Sequence, residues 1–459
     1  MLKTSINTWL DPGSCPPGRP PIDAMSATTR TLHQAIDAHA RRSGVPYLHP
    51  DEPTVQLDLL GSKRVIEWQE GKAAFLFASE GCWSELPALY ARYGTNATAQ
   101  LIAKLKALEH ASAALVCDSG MQATALTFDA LMQPGSHAIT MRQVYNKTRS
   151  YLEWLAARLG GSVTVVDDGD MAAVEAAIRP ETCLIFAETF TNPLVRAQDF
   201  NAIERVMTRG RAISHSLRFV LDTTIASPWA FNKPPLDTGG VDIVVASGTK
   251  SLGGNDRDMW GYIATNNTQF ANSVMDLMAM RGGILDWRRA AAVLESFDAA
   301  GDAHARRCET ASRVAAFLAS HPKISEVFHP SLPNHPDRAA IATHYARHGS
   351  LLSFRIAGAD EDRTRHFADV LATTVIVRYA LSFDGLATKV NHHRTVSEYF
   401  TALEQLKRNG FDRLIRLAVG LEDADDLIAA LNWTLHHGDA VTADDIERWQ
   451  HGRAAELGI

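Results

Sequence analysis

Residues 96–246 alternate short apolar runs with helix-patterned stretches, and this alternation limits the possible folds more than any other feature of the chain. Apolar runs at 113–117, 137–140, 163–166, 184–187, 219–221 and 241–246 read as strands. Leu101, Ile102, Leu105 and Leu108 form a helical stripe, and further helices are predicted up to Met132, over 148–159, after the capping Asp170, and over 200–209. Pro134-Gly135, Gly160-Gly161 and Pro180 supply the stops. Strands separated by helices predict a parallel sheet covered on both faces, with ligands at the carboxyl ends of its strands.

Past residue 290 the pattern changes. A long helix over 290–318 is followed by strands at 324–329, 351–356 and 414–419 and helices at 362–371 and 423–435, which reads as a smaller α+β unit. The Pro- and Gly-rich residues 1–25 read as a draped segment and 27–42 as a surface helix, while 48–89 give mixed signals. The expected division is an N-terminal extension over 1–88, a large domain over 89–290 and a small C-terminal domain over 291–459.

Composition narrows the function. With 459 residues, 46% apolar and 21% charged, the chain reads as a soluble globular protein with room for two or three domains. A formal net charge of −7 argues against a nucleic-acid surface. No apolar run approaches the ~20 residues of a membrane span. The N-terminus lacks the apolar core of a secretory leader, and the five scattered cysteines suit reduced thiols, so a cytoplasmic protein without disulfides is expected. No metal site is expected: His392-His393 and His436-His437 lack suitably spaced carboxylate or thiol partners.

The stretch 241–261, VDIVVASGTKSLGGNDRDMWG, delivers Ser247, Thr249 and Lys250 from an apolar strand into a Gly-rich turn. Desolvation at a strand end lowers a lysine pKa and makes its amine nucleophilic, and the two hydroxyls suit a phosphate. These are the parts of a pyridoxal phosphate Schiff base, although a surface lysine fits the same stretch. Other strand ends add to the set. Ser119-Gly120-Met121 opens a helix and can present N–H groups to a phosphate or act only as an N-cap. Asp222, ahead of Thr223 and Thr224, can hold a protonated pyridine nitrogen or cap a turn, and Tyr145 can stack on a ring or pack in the core. Glu188 and Asn192 sit at another strand end. Arg416 lies inside an apolar strand, where it needs an anion: a substrate carboxylate, or Glu422 or Asp423 in a structural ion pair.

In order, Tyr-x-Arg at Tyr90, Ser-Gly-Met at Ser119, Tyr-x-x-Thr at Tyr145, Glu-Thr-x-Thr-Asn-Pro at Glu188, Asp-x-Thr at Asp222, Ser-x-Thr-Lys at Ser247 and Arg-Leu-x-Val-Gly-Leu-Glu-Asp at Arg416 resemble the Cys/Met-metabolism pyridoxal-phosphate enzymes. That family includes cystathionine γ-synthase, the cystathionine lyases, methionine γ-lyase and the homoserine sulfhydrylases. The resemblance spans roughly residues 89–435. It implies fold type I, the aspartate aminotransferase-like architecture.

It also implies roles. Lys250 would bind the cofactor and shuttle protons; Tyr145 would stack on the ring and assist catalysis. Ser119, Gly120, Met121, Ser247 and Thr249 would cradle the phosphate; Asp222, with Thr224 beside it, would hold the ring nitrogen; Glu188 and Asn192 would support the ring. Tyr90 and Arg92 would reach the cofactor of a neighbouring subunit, with Tyr90 also near the substrate, which implies a homodimer or homotetramer with shared sites and an N-terminal arm on the neighbour. Arg416, with Ser382, would clamp the carboxylate of an amino-acid substrate.

Departures from the family pattern cluster where the substrate side chain would lie. Asn255 stands for a histidine, Trp260 for a glycine, Asn146-Lys147 for two glycines, and Ser382-Phe383-Asp384-Gly385 for Ser-Leu-Gly-Gly. Lys147 would favour an anionic distal group. The expected reaction is γ-replacement on an O-acylhomoserine with a thiol, or γ-elimination. The alternatives are a C–S lyase acting on cystathionine or methionine, and a non-catalytic cofactor-binding scaffold.

Overall fold

The structure, a computed structural model, describes residues 26–31, 62–74, 90–254, 256–399 and 401–458. The expected surface helix over 27–42 is described only as far as 31, where it is helical. Most of the expected extension over 1–88 lies outside the described residues, as do Asn255, Cys15 and Cys82.

The larger sheet contains β1 (Ala113–Cys117), β2 (His137–Met141), β3 (Ser162–Val166), β4 (Thr182–Glu188), β5 (Arg218–Asp222), β6 (Ile243–Ala246) and β7 (Gly261–Thr265), in the order β1-β7-β6-β5-β4-β2-β3. Every residue of β1, β4 and β6 is buried, as a sheet covered on both faces requires, whereas β3 at the edge is partly exposed. The sheet is mixed, not purely parallel: β7 runs antiparallel to both β1 and β6. The physical reason lies in the connection. The described residues of 247–260 contain no helix to carry the chain back across the sheet, so β7 returns beside β6 in the opposite direction.

The smaller sheet has β8 (Ile324–Phe328), β9 (Leu351–Ile356), β10 (Val377–Tyr379), β11 (Thr388–His392) and β12 (Ile415–Ala418), in the order β10-β11-β12-β9-β8. Leu352, Phe354, Val390, Ile415 and Leu417 face a second core. The alternate residues Ser353, Lys389, Asn391 and Arg416 take the opposite face, where Leu351 and Ala418 join the larger core. β10 and β11 and the helices Thr268–Arg281 and Ala443–Leu457 are not among the expected elements.

One 34-residue helix, Trp287–Ser320, serves both cores. Ala290, Val293 and Phe297 pack into the larger core, and Ala311, Val314 and Leu318 into the smaller one. Among the described residues no helix is long and apolar enough to cross a membrane.

Candidate active site

In-register pairing sets Glu188 of β4 beside Asp222 of β5, and Asp222 beside Val245 of β6. The carboxyl ends of the parallel strands therefore form one edge. Lys250 reaches out from that edge. Its Nζ donates to Ser382 Oγ at 2.6 Å and stands 4.8 Å from the centre of the Phe383 ring. Burial lowers the lysine pKa, the Asp384 charge opposes that shift, and the Arg416 charge adds to it. The amine is thus poised toward its neutral, nucleophilic form.

Arg416 approaches the same point from β12. Its Nη2 donates to the carbonyls of Leu381 and Ser382, each at 3.2 Å, and its guanidinium lies 5.8 Å from the Phe383 ring. It is 3% exposed, and burial pushes its pKa down to about 10. Neither acid considered from the sequence pairs with it: Glu422 accepts from Thr388 N and Oγ1, and Asp423 caps the helix Ala424–His437. A buried guanidinium bonded only to carbonyls is an incomplete anion site.

The edge around β1 and β6 is built by close backbone approach. A Cβ on Gly120 would lie 2.6 Å from Ser247 Cβ, and one on Gly261 would lie 2.6 Å from Gly120 Cα. Glycine at both positions lets the N-terminus of the helix Gly120–Leu131 sit over the end of β6. Ser119 caps this helix, accepting from Gln122 N at 3.2 Å and donating to Asp118 Oδ1 at 3.0 Å. Thr224 Oγ1 accepts from Ser247 N at 2.8 Å and so aligns the turn.

Ser247 Oγ has no hydrogen-bond partner among the described residues. Thr249 differs from the expectation: its hydroxyl accepts from Trp260 N at 3.0 Å and donates to Trp260 O at 3.1 Å. Its single proton closes the 247–260 loop, which leaves Ser247 as the free hydroxyl donor. Trp260 itself is fully buried, and its ring lies where a side chain on Gly248 would go.

Glu188 Oε1 accepts from Tyr145 N at 2.5 Å. Burial, then the neighbouring Asp222 charge, raises the Glu188 pKa well above the carboxylate range. Burial also raises Asp222 to about 6, against the bonds from Thr224, whose N–H donates to Asp222 Oδ1 at 2.8 Å. Tyr145 projects from the edge with its side chain exposed, and the buried Asn192 Oδ1 has no hydrogen-bond partner among the described residues.

The remaining expected residues stand apart. Arg92 lies over the rings of Tyr90 and Tyr93, at 5.1 and 5.7 Å. Among the described residues, neither Tyr90 nor Arg92 bonds to the strand edge. Lys147 is exposed, without an ion-pair partner among the described residues. Three residues that the motifs did not mark also reach the site. Asn391 donates to Ala380 O at 2.9 Å, Lys389 joins Asp256 to the Asp384 carbonyl, and the buried Asp384 accepts from Ser350 Oγ at 2.6 Å. Asp384, standing where the family pattern has glycine, was the available signal.

These groups fit pyridoxal phosphate: a desolvated lysine, a free hydroxyl beside a helix N-terminus made accessible by glycine, and a buried carboxylate that a cationic ring nitrogen would neutralise.

A mixed α/β sheet with such an edge defines a cofactor-dependent enzyme scaffold of fold type I. The chain belongs to the family described as Cys/Met metabolism PLP-dependent enzyme, which it matches over residues 72–436. It is 31% identical over 407 residues to a cystathionine gamma-synthase of Mycobacterium tuberculosis, covering 88% of this chain and 99% of that one. It is 33% identical over 343 residues to cystathionine gamma-synthase 1, chloroplastic, of Arabidopsis thaliana, covering 74% of this chain but only 58% of the relative. The crystal structure of a cystathionine gamma-lyase from Lactobacillus plantarum complexed with L-serine superposes with a TM-score of 0.70 at 29% identity, covering 77% of this chain and 89% of that chain.

Proposed function

We propose that the protein catalyses γ-replacement on an O-acylhomoserine with a thiol nucleophile, in the manner of a cystathionine γ-synthase. The observation that carries this reading is the convergence of Lys250 and Arg416 on one short segment. The Lys250 amine bonds to Ser382 Oγ, and the Arg416 guanidinium bonds to Ser382 O. A buried guanidinium beside a desolvated amine suits the carboxylate and α-carbon of an amino acid.

Lys250, Asp222, Ser247, Ser119 and the N–H groups of Gly120 and Met121 would hold pyridoxal phosphate, with Glu188 and Asn192 at its ring. When bound, the cofactor supplies an electron sink for the bonds at the substrate α-carbon. Lys250 then holds and moves a proton between substrate carbons, and its contact with Ser382 keeps the amine aimed. Tyr145 would cover the ring face and exclude water there. Tyr90 and Arg92, both exposed, with the Arg92 guanidinium over the Tyr90 ring, would reach the cofactor of a second copy in a homo-oligomer.

Elimination without a thiol is the second reading. It is favoured by Phe383, whose ring stands 4.8 Å from Lys250 Nζ and 5.8 Å from the Arg416 guanidinium and would narrow the room for a second substrate. Incubation with O-succinylhomoserine, with and without cysteine, separates the two by mass spectrometry. Cystathionine that forms only with cysteine supports replacement. Release of 2-oxobutyrate and ammonia regardless of cysteine establishes elimination, and absence of both products in a yellow, cofactor-loaded protein overturns both readings.

A further inference from the structure

The segment from Ala380 to Gly385 is held almost entirely by side chains. Asn391 Nδ2 donates to Ala380 O at 2.9 Å, and Arg416 Nη2 to Leu381 O and Ser382 O at 3.2 Å. Ser382 Oγ donates to Phe383 O at 3.4 Å, Lys389 Nζ to Asp384 O, and Arg307 Nη1 to Gly385 O at 3.0 Å. Every carbonyl of the segment thus has a side-chain donor.

Lys389 differs from the others because it reaches a second loop. Its ammonium pairs with Asp256 Oδ2 at 2.7 Å, in the turn that follows Lys250. Lys389 is 9% exposed, an expensive place for a cation unless it is paired on more than one side. Asp256 and Asp384 hold φ of +64° and +58°, in the left-handed region that non-glycine residues avoid. A Cβ on Gly385 would collide with the Asp256 carboxylate, so the two turns touch.

We propose that Lys389 is a positioning residue: by joining the Asp256 carboxylate to the Asp384 carbonyl it fixes the turn after Lys250 to the Ser382 segment and so sets the Lys250–Ser382 contact. The inference rests on the reading of Lys250 as the reacting amine. It answers a specific problem of this site. A substrate carboxylate on Arg416 competes with the Leu381 and Ser382 carbonyls for the same guanidinium. Lys389 and Arg307 hold the far end of the segment while that exchange takes place.

The test uses cofactor-loaded Lys389→Met and Asp256→Asn, which remove the tie from opposite sides. The charges facing Lys250 are Asp384, Arg416, Asp256 and Lys389. Positioning predicts that both variants lower kcat in the same direction, by roughly tenfold or more, with a smaller change in KM. It also predicts that chymotrypsin cleaves after Leu381 or Phe383 roughly tenfold faster in both. Lys389→Arg restores the protection. A local charge effect alone predicts opposite shifts of the kcat pH profile in the two variants, with cleavage unchanged, and that result overturns the proposal. If Lys389→Met fails to fold, Asp256→Asn, whose side chain is 41% exposed, decides alone: unchanged kcat and cleavage overturn the tie. Failure of the Lys250 reading is recognised separately, by a yellow cofactor band that persists in Lys250→Ala.

Discussion

Arg416 shows how a single buried side chain carries information about a ligand. Its guanidinium donates to two carbonyls in place of a carboxylate, so among the described residues its charge is uncompensated. Arg416→Lys keeps the charge but loses the planar fork, so KM for the amino acid should rise roughly 10- to 100-fold while kcat falls less. A steady-state titration checks this. Glu109 makes a different residue-scale prediction. It is fully buried, Oε1 accepts from Tyr262 Oη, and Oε2 has no hydrogen-bond partner among the described residues. Burial holds its pKa at about 7 against an ordinary 4.5. Between those values the folded chain keeps a proton that the unfolded chain has released, so this group's stabilising contribution is present at low pH and is lost as pH rises toward 7. Glu109→Gln should therefore flatten the fall of melting temperature with rising pH, relative to the unsubstituted chain. Equal slopes in the two proteins would refute the assignment.

At the scale of elements, the site depends on how closely the helix Gly120–Leu131 approaches β6. Gly120→Ala would place a methyl group 2.6 Å from Ser247 Cβ and push the helix N-terminus away. The expected cost is about 1–3 kcal/mol of stability, together with weakened pyridoxal phosphate binding. Thermal melts and a fluorescence titration measure the two effects separately. The strand ends were legible in the sequence because each is a short apolar run followed within four residues by a polar residue able to act at that edge. Ser119, Glu188, Asp222 and Lys250 follow that pattern. Lys389 could not be found this way. In the mixed string TKVNH its meaning depends on a register with β12 and on two loops distant in sequence. The reversal of β7 was hidden for a related reason: strand direction depends on the connection, not on the strand's own residues. Thr249 matched a phosphate-binding motif, yet its hydroxyl closes a loop through Trp260, a partner that spacing alone does not reveal.

For the whole molecule, the exposed Tyr90–Arg92 pair leads to a prediction about assembly. Lys250→Ala and Arg92→Ala should each be inactive alone. Mixed and allowed to exchange subunits, they should recover part of the activity, because one site of each hybrid dimer then carries neither change. No recovery would mean that Arg92 acts within its own subunit or not at all. The long helix Trp287–Ser320 has a separate consequence. Its first half belongs to the core beneath Lys250 and its second half to the core beneath Arg416. Inserting one residue midway would turn the second half by about 100° and advance it by about 1.5 Å. The lineage of this chain can therefore vary the helix in composition far more freely than in length, since a change in length would throw the amine and the guanidinium out of phase.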